Sequence, residues 1–126
     1  MDTEFQAGKK GLFYATEKGL GVIVMEPLRG GKIAGRTPKE VQLLLDSQKE
    51  NYSPVEWALR WVWDHPQVTL LLSGMSALEH VVENVEVASK AESSSLTDKE
   101  KSVIEEVRNI YRARIKVPCT DCKYCL

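Results

Sequence analysis

Apolar residues along this chain follow two rhythms, short unbroken runs and helical stripes, and their alternation predicts an α/β fold. Gly21–Met25 (GVIVM) and Val68–Leu72 (VTLLL) are runs too short for helices and contain β-branched residues, as in parallel strands covered on both faces. Around them lie helical patterns. Phe5 to Lys18 has Leu12, Phe13, Ala15 and Thr16 on its apolar side and Gly19 as its stop. Thr37-Pro38-Lys39-Glu40 and Ser53-Pro54-Val55-Glu56 are capping boxes with proline at the first helical position. The first leads a short helix with Val41, Leu44 and Leu45 inward. The second opens a helix whose polar residues, Glu56, Arg60 and Asp64, form one narrow stripe, so Trp57 and Trp61 require cover from a neighbouring helix or the C-terminal tail.

His65-Pro66 ends that helix and the second strand follows. Beyond Ser73-Gly74, Ser76 and Glu79 read as a capping box, with Leu78, Val81, Val82, Val85 and Ala88 recurring at helical spacing and His80 and Asn84 off that stripe. A serine-rich loop then leads to a further capping box, Thr97-Asp98-Lys99-Glu100, and an amphipathic helix carrying Val103, Ile104, Val107, Ile110 and Tyr111 to about Ala113. The order implies parallel crossovers, with a glycine-bearing loop after each strand. In Glu26-Pro27-Leu28-Arg29-Gly30-Gly31-Lys32 the proline and glycines end the strand. Such a segment is either a tight turn or backbone freed for close approach by a ligand. A glycine turn entering a helix, as at Gly74, offers free N–H groups and the positive end of the macrodipole to a phosphate.

Composition narrows the function classes. A chain of 126 residues with 17 basic and 18 acidic side chains is an ordinary globular domain with no electrostatic case for nucleic acid. It has no apolar run of membrane-spanning length and no secretory leader pattern, so no membrane association is expected and the cytoplasm is the expected location. All 3 cysteines fall in Cys119–Leu126. An odd number at tight spacing argues for metal or cluster ligation in a reducing compartment over a disulfide framework.

The stretch S-G-M-S-A-L-E-H-V-V-E-N, Ser73 to Asn84, resembles the last strand, loop and helix start of the aldo/keto reductase barrel. E-P-L-R-G-G-K-I-A-G, Glu26 to Gly35, resembles the loop after its seventh strand. The likeness covers nearly the whole chain but only the family's C-terminal part. It implies the last two strands of a (β/α)8 barrel with their helices over residues 1–96, then a terminal helix and cysteine tail over 97–126. The alternative is a rearranged, mostly helical oligomer. By resemblance, Pro27, Leu28, Arg29 and Gly31 lie along a nicotinamide cofactor's pyrophosphate, and Gly74, Met75, Ser76, His80, Glu83 and Asn84 grip its adenosine end. Glu26 stands where many relatives have serine, and Ala77 where many have a basic residue for the 2′-phosphate, which leaves NAD and NADP both open.

Cys119, Cys122 and Cys125, in C-x2-C-x2-C, match the start of a bacterial ferredoxin run. They resemble the ferredoxin-like extension of one aldo/keto reductase subgroup, which implies a 4Fe-4S cluster, here without a fourth cysteine. The family's catalytic Asp, Tyr, Lys and His come from the first four strands, to which nothing here corresponds, so no catalytic residue is assigned. The expectation is part of an NAD(P)-dependent reductase of small carbonyl substrates, inactive alone. The rival is a non-enzymatic iron–sulfur, metal-binding or interaction module. Two strands cannot close a barrel, so a homo-oligomer is expected.

Overall fold

The computed structural model describes residues 7–114; the cysteine tail and the first residues of the expected Phe5–Lys18 helix lie outside them. The order is α1 (Gly8–Glu17), β1 (Ile23–Met25), α2 (Lys32–Gly35), α3 (Lys39–Asp46), α4 (Pro54–Trp63), β2 (Leu70–Leu72), α5 (Leu78–Ser89) and α6 (Asp98–Arg114). Gly19 stops α1 as expected. At φ 70° it lets its own N–H reach Thr16 O and that of Leu20 reach Ala15 O, the paired bonds of a Schellman cap. Of the expected apolar side only Leu12 is buried; the Thr16 hydroxyl instead donates to Leu12 O at 2.9 Å.

β1 and β2 pair in parallel, with Ile23 opposite Leu70, Val24 opposite Leu71 and Met25 opposite Leu72. Just before the ladder, Thr69 N donates to Val22 O and Thr69 Oγ1 accepts from Val22 N at 3.0 Å. Burial on both faces is the first expectation to fail. Val24 is buried, and Leu71 packs against Val55, Leu59 and Val87. Ile23, Met25, Leu70 and Leu72 point the other way and are exposed, because side chains alternate across a strand and α4 and α5 cover one face only.

The main cluster unites Val41 and Leu45 of α3, Trp57 of α4 and Val103 of α6. Trp57 therefore finds its cover in two neighbouring helices, with Tyr52 edge-on at 5.6 Å. Two of the four expected N-caps form, one of them as a full capping box. Ser53 Oγ accepts from Glu56 N at 3.0 Å. Thr97 and Glu100 make the reciprocal pair, Glu100 N to Thr97 Oγ1 at 3.2 Å and Thr97 N to Glu100 Oε2 at 2.7 Å.

The other two are corrected. The Thr37 hydroxyl donates backward to Ile33 O at 2.8 Å, leaving Pro38 as an N-cap with no side-chain bond. α5 starts one residue later than Ser76 would cap, with extended Ala77 as an N-cap that has no side chain able to bond. The inward stripe expected on α5 is also wrong, since Leu78, Val81, Val82 and Val85 are exposed and Val87 is its buried residue. That rotation takes Glu83 and Asn84 into half-buried positions facing the rest of the chain and leaves His80 in solvent.

Candidate functional site

Because the strands are parallel, the loops that follow them, residues 26–31 and 73–77, leave from the same edge of the sheet. Pro27 is buried and Leu28 packs on the cluster of Val55, Leu59 and Val87, which anchors the first loop from below. Its backbone is unusual. Glu26 adopts φ 50°, and after two ordinary residues Arg29, Gly30 and Gly31 run at 51°, 62° and 81°, left-handed backbone that a Cβ disfavours and that here falls partly on non-glycine residues. Arg29 N donates to Glu26 O at 3.0 Å, and Ala34 and Gly35 both donate to Gly31 O, so the loop closes on itself and hands over to α2.

At the second loop Gly74, Met75 and Ser76 are exposed. A Cβ added at Gly31 or Gly74 would meet no atom within 4 Å, so both glycines border open space. The α5 start carries no side-chain cap; its first-turn N–H groups and dipole suit an anion, although Glu79 in that same turn opposes one. Farther along α5, Glu83 Oε1 accepts from Ser53 Oγ at 2.6 Å, and Asn84 Nδ2 donates to Ser73 Oγ at 3.2 Å. Glu83 thereby ties α5 to the capped start of α4, and Asn84 ties it to the end of β2. The structure brings the sequence-predicted residues of both loops to one edge, but it gives Glu83 and Asn84 internal partners that the sequence did not announce. Nearby, burial raises the Glu56 carboxyl above its ordinary range, against the pull of Arg60 and Lys90.

The polar stripe of α4 serves a different purpose. Arg60 meets Glu100 at 3.3 Å, and Asp64 Oδ1 accepts from Leu96 N at 2.8 Å, so the stripe fastens α4 to the start of α6. Where α4 ends, Trp61 and His65 stack edge-on at 5.1 Å beside a pocket that sequence reasoning missed. Its components come from α1, α4 and α6, and no spacing in the chain links them. Burial, and then the Lys9 ammonium, hold the His65 imidazole below its usual pKa.

Among the described residues no group of three or more His, Cys, Asp or Glu is placed to hold a metal ion; Cys119, Cys122 and Cys125 lie outside them. Nor is any described helix long and apolar enough to cross a membrane. No curated protein matches the chain. The model of the aldo/keto reductase family matches residues 6–109, a span that includes both glycine loops, both strands and most of α6. Proteins of this family are oxidoreductases that generally draw on NAD(P)H and act on small molecules. By that match over most of its length, this chain belongs to the aldo/keto reductase family.

Proposed function

We propose that the chain forms the cofactor-clamping, C-terminal part of a (β/α)8 carbonyl reductase, β1 and β2 being the seventh and eighth barrel strands. The observation that carries this reading is the common edge. Two loops that border open space leave the C-terminal ends of two parallel, hydrogen-bonded strands, the end at which such barrels build their sites. The exposed face of Ile23, Met25, Leu70 and Leu72 fits the same reading, because the inward side chains of a barrel are packed by the other strands.

The residues present suit an adenine dinucleotide in part. Pro27, Leu28, Arg29 and Gly31 would lie along the diphosphate. Gly74, Met75 and Ser76, with the uncapped start of α5, would hold the adenosine side, together with His80, Glu83 and Asn84. NAD or NADP, when bound, supplies the hydride; this chain's residues bind and orient it. The Asp, Tyr, Lys and His of the chemistry would come from earlier barrel strands, so this stretch alone does not turn over carbonyl substrates. Cys119, Cys122 and Cys125 would hold a 4Fe-4S cluster with a fourth ligand from outside the motif. A cytoplasmic location accords with that chemistry.

Titration calorimetry with NAD and NADP tests the site. With only one side of the cofactor gripped, millimolar affinity, about −4 kcal/mol, is expected. Asn84→Ala should abolish it, since the amide that bridges α5 to Ser73 would be lost. Equal binding by the wild type and Asn84→Ala would reject the assignment.

A further inference from the structure

At the pole where β2 begins, opposite the glycine loops, α1, the end of α4 and α6 enclose a pocket of about 230 Å³. Its apolar wall is the Trp61 indole with Ile104. Three cations border it. Lys9 Nζ sits 5.3 Å from the centre of the Trp61 ring, and Lys101 and Arg108 project from α6.

Two carboxylates also line the pocket, and both are engaged. Asp64 accepts from Leu96 N at 2.8 Å through Oδ1 and faces Lys101 Nζ at 3.8 Å through Oδ2, while Glu105 pairs with Arg108 at 2.9 Å. Lys9 has no carboxylate partner among the described residues, so Lys9, Lys101 and Arg108 against Asp64 and Glu105 leave one positive charge uncompensated. The fourth polar group is His65. Its Nδ1 lies 2.9 Å from Trp61 O; a carbonyl can only accept, so Nδ1 carries the proton and a neutral ring presents Nε2 as an acceptor.

We propose that this pocket is a binding site for a small aromatic carboxylate, its ring against Trp61 and Ile104, its carboxylate between Lys9 and Arg108, and a ring hydroxyl donating to His65 Nε2. The features argue together. A flat apolar wall selects a ring, the surplus cation selects an anion, and the volume admits a single ring with its substituents. The competing carboxylates limit affinity to the millimolar range, and they exclude a multiply charged anion, which would meet Asp64 and Glu105.

The test is a titration of the full chain with 4-hydroxybenzoate, benzoate and benzylamine, followed through the indole N–H resonances. Saturable shifts of the Trp61 signal are expected with 4-hydroxybenzoate, while the Trp63 signal, on the cluster of Val55, Leu59 and Val87, stays fixed. Benzoate should bind more weakly and benzylamine not at all. Lys9→Gln and Arg108→Gln, both at solvent-accessible positions, should each weaken binding roughly fivefold. Asn84→Ala should leave it unchanged, which separates this site from the cofactor loops. No saturation below about 20 mM, benzylamine binding as tightly as 4-hydroxybenzoate, or undiminished binding in both variants would overturn the proposal, and the wild-type comparison decides even if a variant fails to fold.

Discussion

Trp57 and Val85 are both large apolar residues on amphipathic helices, yet Trp57 is 3% exposed and Val85 59%. The difference runs through the whole molecule. On the side of α3, α4 and α6 every helix meets another, and the capping box at Thr97 and the Arg60–Glu100 pair lock the arrangement. On the side of β1, β2 and α5 the outward apolar residues of both strands and of the helix are left exposed by the described residues. One half is a finished core, and the other is half of one.

The largest effect that would break this contrast is on stability. Trp57→Ala should cost about 3–5 kcal/mol in denaturant unfolding, through lost burial and the cavity left behind, whereas Val85→Ala should stay within about 0.5 kcal/mol of the wild type. Comparable losses at the two positions would mean that the outward face of α5 is covered in solution. For the strand face of Ile23, Met25, Leu70 and Leu72, cover is what we expect from self-association. Light scattering at micromolar concentration should give more than one chain's mass, and Leu72→Lys should reduce it toward one, because a charge on that face cannot be buried without a partner. A single-chain mass with cooperative unfolding of the wild type would show instead that the exposed face is tolerated. The smallest effect sharpens the contrast at the helix starts. Thr97→Ala should cost about 1 kcal/mol, and Ser76→Ala a few tenths at most, because only the first hydroxyl caps a helix.

The sequence made the strands, their parallel order and every helix among the described residues except α2 legible because periodicity and glycine placement are local signals. Val41, Leu45, Trp57 and Val103 could be named as core from spacing alone. Burial on both faces of GVIVM and VTLLL could not be judged in that way. An apolar run states what a strand is suited to, and whether anything covers it depends on the rest of the assembly. The α5 stripe failed for the same reason. Leu78, Val81, Val82 and Val85 make a coherent apolar face, but the tether from Glu83 to Ser53, 30 positions away, turns that face outward. Ser76 and Thr37 matched the capping pattern without capping, Thr37 because its hydroxyl bonds backward to Ile33 O and Ser76 because α5 starts after Ala77. The pocket at the end of α4, assembled from Lys9, Trp61, His65 and Arg108, draws on three helices that no local window joins.

The pairing of β1 with β2 also sets an order in time. Val22 and Thr69, whose bond leads into the ladder, are 47 positions apart, and each strand contributes three residues. Closing so long a loop for so short a ladder yields little until α3, α4 and α6 have collapsed around Trp57 and shortened the effective search. α3 and α6 lie still farther apart in the chain, but their contact buries Val41, Leu45, Trp57 and Val103 together and so offsets its loop-closure cost, which a three-residue ladder does not; the helical half therefore organises first and the strands zip last. The two glycine loops hang from the strand ends, so they take their positions only in that final step. Any lesion that delays the helical half leaves GVIVM unpaired for longer, with its backbone N–H and C=O groups and its apolar side chains open to other chains.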